Sequence, residues 1–371
     1  MSDPYDIEVA ACRGRQKRLL AEMERLRLDL VIVQKIEHVQ WLAGPRFGQH
    51  FEPAAALAND GHLILVSPST HPDKAAADDS LVYDAKWLST MRNDQREASS
   101  QVLLAALAGR HAPKRVGVEF SCFSQHLAAG IAGELVDIEP DLYRLRRRKD
   151  ADELARLKKA IAATGVMYQT ARAMIKPGVN ELDVFNALQA AAVRECGEMI
   201  TGTGNDYACA VHGGPPRDRQ AQAGELYILD LGPAFRGYYA DNCRVVSVGG
   251  KPTDRQRAAW QTVADVFPAI EPKIRAGKRC REIFDEVKEL IGRFPGGTWH
   301  SHLGHGIGLF PHEAPHLNPN WDDTFEAGDV IAVEPAVYAD DELKAGIRLE
   351  NNYLVTETGV ELLSDFPLGL S

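Results

Sequence analysis

No two of the six cysteines in this 371-residue sequence stand at a CxxC spacing. Cys12, Cys122, Cys196, Cys209, Cys243 and Cys280 are scattered along the chain. That excludes a disulfide framework of the small secreted kind and predicts buried free thiols in a reducing compartment. No apolar run approaches the ~18 residues of a membrane-spanning helix, so no membrane partner is expected. Basic charge is scarce: 42 Lys and Arg against 52 Asp and Glu leave a net charge of −10. This excludes nucleic-acid binding as the main activity, because phosphate contacts need concentrated Lys and Arg. The one basic run, Arg144-Leu145-Arg146-Arg147-Arg148-Lys149, is short and reads as a solvated junction between domains. Residues 1–149 contain no GxGxxG or Walker-type phosphate loop. No fixed-period repeat and no low-complexity tract is present. The polar, acidic start Met1-Ser2-Asp3-Pro4-Tyr5-Asp6 lacks a basic stretch followed by an apolar one, which predicts no secretory signal and a cytoplasmic protein.

What is present is an ordinary globular composition, 45% hydrophobic and 25% charged. The length suits about two domains. In residues 1–149, helical spacing from Ile7 to Leu28 precedes the strand-like run Asp29-Leu30-Val31-Ile32-Val33. The turn signal Asp60-Gly61 precedes a second such run, His62 to Val66. Val102 to Leu107 reads as helix and Arg115 to Phe120 as strand. The pattern is α/β. A charged helix then begins near Asp150 and is stopped by Pro177-Gly178, so the domain break is set at 149/150. Asn180 is a candidate N-cap, with Asp183 forming an imperfect capping box. Residues 150–371 mix helices (Pro252 to Ile274, Arg281 to Ile291) with antiparallel-looking strands (Glu225 to Leu231, Gly237 to Val248), which predicts an α+β domain.

Carboxylates recur inside the apolar runs of that second domain. Leu229-Asp230-Leu231-Gly232 and Tyr239-Ala240-Asp241-Asn242 flank turn material, so a hairpin would bring Asp230 and Asp241 side by side. Adjacent buried carboxylates repel and need a cation. Gly304-His305-Gly306-Ile307-Gly308-Leu309-Phe310-Pro311-His312-Glu313 sets two histidines seven apart among glycines, which suits close backbone approach rather than an HExxH helix. Val330-Ile331-Ala332-Val333-Glu334-Pro335 and Gly346-Ile347-Arg348-Leu349-Glu350-Asn351 each place a glutamate in or next to a strand. Four carboxylates and one imidazole suit Mn²⁺, Fe²⁺, Co²⁺ or Zn²⁺. They suffice for two ions ~3.5–4 Å apart, which lower the pKa of a bridging water and polarise a carbonyl. His212 and His312 are then candidates for donating hydrogen bonds to a developing oxyanion.

The ordered set Asp230, Asp241, His305, Glu334 and Glu350, with the strings GHGIGL, HE and VEP, resembles the metallopeptidase family of methionine aminopeptidase, aminopeptidase P and prolidase. The resemblance implies a pita-bread catalytic domain over residues 150–371, preceded by a creatinase-type domain over 1–149, an α+β protein as a whole. It implies those five residues as metal ligands, Glu334 also as general base, His212 and His312 as groups that contact substrate, and Arg348 as a group that meets a substrate carboxylate. It further implies two divalent cations per subunit, manganese first, a homodimer, and attack of a metal-bridging hydroxide on the amide bond before proline in a small peptide. Ala336, Asn351 and Asn242-Cys243-Arg244 depart from the family's usual residues without removing a ligand. Relatives with the same metals act on small non-peptide substrates, as ectoine-type hydrolases or dimethylsulfoniopropionate lyases, and others are non-catalytic binding modules that lack the ligands.

Overall fold

The run Leu30–Val33 is buried along its whole length, as a strand covered on both faces must be. The computed structural model describes residues 3–299, 302–339 and 343–370. Contacts divide the chain into two compact units, Met1–Arg146 and Arg147–Ser371. In the first unit Leu30–Val33 lies fourth in a six-stranded sheet, after Asp79–Tyr83, Leu63–Pro68 and Ala54–Ala58 and before Arg115–Val118 and Glu134–Asp137. It pairs antiparallel with Ala54–Ala58 and parallel with Arg115–Val118. Alternate residues Leu30, Ile32, Ala54, Ala56, Ile64 and Val66 share one core with Ala98 and Leu103 of helix Gln95–Leu107. Helix Ile36–Ala43 packs against strand Ala54–Ala58, and helix Val9–Leu26 packs on that helix.

Helix Ile36–Ala43 has no side-chain cap from its own N-cap residue, Lys35. Glu119, just past strand Arg115–Val118, takes over that role. Its carboxylate accepts the Gln34 and Lys35 N–H groups at 2.6 and 3.1 Å and lies against Nδ1 of the buried His38. Burial works against the Glu119 charge, yet His38 and the two amides hold it below the usual carboxylate range. Glu119→Ala is expected to cost roughly 3–5 kcal/mol of unfolding free energy in urea, because it strands a buried imidazole and two donors. A loss under about 1 kcal/mol would contradict this capping role.

In the second unit, Asp150 and Glu153 form a capping box at the start of helix Ala151–Met174, with Asp150 N–H donating to Glu153 at 2.9 Å. Asn180 accepts the Leu182 N–H at 2.9 Å, as an N-cap of helix Glu181–Cys196 should. These two helices pack together. Strands Leu226–Leu231 and Asn242–Ser247 pair antiparallel. A five-stranded antiparallel sheet runs Glu313–Leu317, Gly304–Gly306, Val330–Val333, Asn351–Val355 and Val360–Leu362, and Ala336–Tyr338 pairs with Gly346–Arg348. Helices Asp254–Ala264 and Cys280–Ile291 close a large apolar core beneath. The Tyr168 hydroxyl reaches the carbonyls of Asn242 and Leu229 at 2.5 and 3.1 Å, pinning helix Ala151–Met174 to the strand pair.

Three expectations need correction. The basic run is not a solvated junction. Arg147 donates to Asp329 at 2.7 and 3.0 Å, Lys149 reaches Glu313 at 3.2 Å, and both are buried. Buried charge needs a partner, so the tail of the run packs within the second unit and the division falls after Arg146. The helix expected from Pro252 to Ile274 is broken into Asp254–Ala264, Val266–Ile270 and a short 3₁₀ turn, Glu271–Lys273. Pro268 has no N–H to return to Ala264, and Pro272 lies in the turn. Cys122, finally, is exposed rather than buried.

Candidate metal centre

Strand register decides which side chains meet. Asp230 pairs with Cys243 and Leu231 with Asn242. Asp241, just before that ladder, is therefore a diagonal neighbour of Asp230 on one face. Val333 pairs with Gly304 and with Asn351, so Glu334 and Glu350, each one residue beyond its ladder, face each other. Glu334 N–H donates to Leu303 O at 2.8 Å, and Glu350 N–H to Cys243 O at 3.0 Å, which ties the sheet to the first strand pair. His305 is a diagonal neighbour of Glu334. The glycines around it permit the close approach: a Cβ at Gly306 would sit 2.1 Å from Ala314 O. His305 Nδ1 lies 3.0 Å from Gly306 O, where it can only donate, so Nε2 carries the lone pair. That Nε2 is 3.6 Å from Asp241 Oδ2 and 3.6 Å from Glu334 Oε1. Donors this far apart can share one ion at ~2.0–2.2 Å from each.

The electrostatics ask for cations. Burial and the neighbouring carboxylates push Asp241 and Glu350 well above the usual carboxylate range. Burial raises Asp230 to about 6, against the pull of Arg348. Glu334 alone is held below its ordinary value: burial would raise it, but His302 and His305 beside it overcome that. Glu350 Oε2 is buried without a hydrogen-bond partner among the described residues, a costly state unless a cation fills it. Asp241, His305 and Glu350 already offer ligand atoms within 4.8 Å of one another. Four carboxylates and an imidazole on one face thus fit a pair of divalent ions.

A pH signature follows from this. Stripped of metal, Asp230 carries a raised pKa, so its contribution to stability is present below about pH 4 and is lost as pH rises through about 6. The gap in Tm between metal-loaded and stripped protein is expected to widen by several degrees from pH 4.5 to 7.5, read by scanning fluorimetry. A gap that stays constant or shrinks would contradict the repulsion inferred here.

Around this set, His312 stacks on His305 with ring centres 3.8 Å apart. Burial lowers its pKa to about 4, with His305 adding to the effect. His212 lies against the Tyr338 ring at 4.4 Å. The Tyr338 hydroxyl accepts from Arg348 at 3.3 Å, and Arg348 contacts Asp230 at 2.9 Å. The structure therefore sets Arg348 against carboxylates of the protein itself. Two neighbours escape sequence reasoning. His302 Nε2 lies 2.8 Å from Glu334 Oε1, and its ring is nearly parallel to those of His305 and His312. Asp206 contacts Arg348. Neither sits in an apolar run, so only the fold brings it to the site. The literal HExxH string His312-Glu313-Ala314-Pro315-His316 also passes unremarked in the sequence. It runs into strand Glu313–Leu317, so it does not form the helical turn that sets both histidines of such a string on one ion. His316 instead bonds Asp323 at 2.8 Å and stacks on Trp321, while Glu313 accepts the Phe310 N–H at 3.1 Å.

Comparison with known proteins agrees with this architecture. Residues 155–357 match metallopeptidase family M24, and residues 15–148 match the creatinase/prolidase N-terminal domain. An uncharacterized peptidase of Staphylococcus epidermidis is 30% identical over 236 residues, covering 62% of this chain and 66% of that relative, just under two thirds of its length. The uncharacterized peptidase YqhT of Bacillus subtilis is 27% identical over 265 residues, 68% of this chain and 74% of the relative. Among solved structures, the Xaa-Pro dipeptidase from Bacillus anthracis superposes with a TM-score of 0.82 at 20% identity, covering 97% of this chain and 99% of that one. The prolidase from Pyrococcus horikoshii OT3 gives 0.81 at 20% identity, covering 96% and 100%. The expected fold class, a pita-bread α+β catalytic domain after a creatinase-type α/β domain, is the one found.

Proposed function

This chain belongs to metallopeptidase family M24, and we propose that it hydrolyses the amide bond before proline in Xaa-Pro dipeptides, using two divalent cations held by Asp230, Asp241, His305, Glu334 and Glu350. The observation that carries the reading is the convergence of Asp241, His305 and Glu350, with Asp230 and Glu334 beside them, around a Glu350 oxygen that has no hydrogen-bond partner among the described residues. The substrate class is supported by the fold shared with the Xaa-Pro dipeptidase from Bacillus anthracis and the prolidase from Pyrococcus horikoshii OT3. Asp241 and Glu350 would be shared between the ions, Asp230 would hold one, and His305 with Glu334 the other. Mn²⁺ is the first metal to load in this reading, with Fe²⁺, Co²⁺ and Zn²⁺ as alternatives. A homodimer in the cytoplasm belongs to the same proposal.

When bound, the cations polarise the scissile carbonyl and let a water ionise near neutral pH. Glu334, kept ionised by the histidines beside it, accepts the proton of the attacking water on its carboxylate. His312, neutral at pH 7, offers an N–H to the carbonyl oxygen as negative charge develops there. His212, steadied on Tyr338, is assigned the same task.

The test is free-proline release from a panel of Xaa-Pro dipeptides with added Mn²⁺, with a chelator control and Xaa-Ala dipeptides alongside. The expected result is chelator-sensitive release, with Xaa-Ala hydrolysed at least about 10-fold more slowly. A protein that holds two metals yet releases no proline would reject the dipeptidase reading and point to small non-peptide amides and amidines.

A further inference from the structure

Arg348 is the type of residue that receives a carboxylate, yet both of its terminal nitrogens are already engaged, while Nε is buried without a hydrogen-bond partner among the described residues. Its Nη2 lies against both Asp206 and Asp230, and Nη1 donates to the Tyr338 hydroxyl. Asp230 belongs to the metal set, so Asp206 is the carboxylate that balances the guanidinium. Asp206 is held from several sides. Asp230 N–H donates to Asp206 O at 3.0 Å, and Asp206 N–H to Asp230 O at 3.4 Å. One carboxylate oxygen accepts the Gly214 N–H at 2.6 Å. A Cβ on Gly213 would fall 2.4 Å from the other, so the loop after His212 needs glycine there to fit against this group. The side chains of Arg348 and Asp206 are only 13% and 16% exposed. Drawing Arg348 toward a substrate carboxylate would leave Asp206 unpaired in a largely buried place, which opposes whatever the new ion pair gains.

We propose that Asp206 is a specificity-determining residue: by holding Arg348 it withholds the guanidinium from the substrate. The site then does not distinguish a prolyl substrate ending in a free carboxylate from the same substrate ending in an amide. This inference rests on the Xaa-Pro reading above.

The experiment measures kcat and KM for one Xaa-Pro dipeptide and its C-terminal amide, with the Mn²⁺-loaded wild type and with Asp206→Asn. Asparagine keeps the volume and an acceptor for Gly214 N–H but removes the charge. For the wild type, kcat/KM for acid and amide should agree within about threefold; in Asp206→Asn the acid should gain about tenfold over the amide, through KM. A wild-type preference of about tenfold or more for the acid would overturn the proposal, as would an unchanged ratio in the variant. If the variant does not fold, the wild-type comparison still decides. Calorimetry with proline and prolinamide separates this inference from the function it rests on. If neither substrate is cleaved but proline binds Asp206→Asn about tenfold more tightly than wild type while prolinamide does not, the role of Asp206 stands and the hydrolase reading falls. Equal proline binding by both proteins removes the role of Asp206.

Discussion

Glu334→Gln is expected to lower kcat for Xaa-Pro hydrolysis by about 10²–10⁴-fold, the usual worth of a positioned base, and by more where the lost negative charge also weakens a metal. Several features single out this residue. It ends strand Val330–Val333, faces Glu350 across the ladder, and lies 2.8 Å from His302 and 3.6 Å from His305. Of the four carboxylates it is the one whose surroundings favour the ionised form, so it is the one ready to accept a proton. Glutamine preserves shape and a carbonyl donor to metal but cannot take the proton. Full activity in Glu334→Gln would remove it from the mechanism.

Asp241→Asn should lower the metal retained after gel filtration from about two ions per chain to about one or fewer, read by elemental analysis, because a residue assigned to both ions loses its charge. The same change carries a second, oppositely signed effect. In the stripped protein Asp241 is raised by burial and by repulsion from Asp230 and Glu334, so the neutral amide relieves that repulsion. Stripped Asp241→Asn should therefore melt at a higher temperature than stripped wild type at pH 7, while loaded Asp241→Asn melts below loaded wild type. Unchanged metal content would count against the cage, and an unchanged or lower Tm for the stripped variant would count against the repulsion.

The five proposed ligands were legible in the sequence because each breaks a local rule. Asp230 interrupts Ile228-Leu229-Asp230-Leu231, Glu334 ends Val330–Val333, and His305 stands between two glycines. A charge in an apolar run is costly, so it attracts attention before any fold is known. The strand breaks were not legible. Residues Gly237 to Val248 read as one run, yet the ladder begins only at Asn242, and Leu349 and Glu350 separate Gly346–Arg348 from Asn351–Val355. Both interruptions fall at or beside a proposed ligand, where the backbone leaves one strand partner for another: Glu350 N–H goes to Cys243 O. His302 and Asp206 were missed for a different reason. Each has an unremarkable neighbourhood in sequence and acquires its partner, Glu334 or Arg348, only through long-range register. The basic run near residue 147 was misread because Arg147 and Lys149 find Asp329 and Glu313 far along the chain, and composition alone cannot supply such partners.

Anomalous scattering from crystals of the Mn²⁺-loaded protein tests the central claim most directly. Two peaks about 3.5–4 Å apart are expected, with Asp241 and Glu350 touching both, Asp230 on one, and His305 and Glu334 on the other. A single peak, or metal seated on His302, His305 and His312 with Glu350 left uncoordinated, would contradict it.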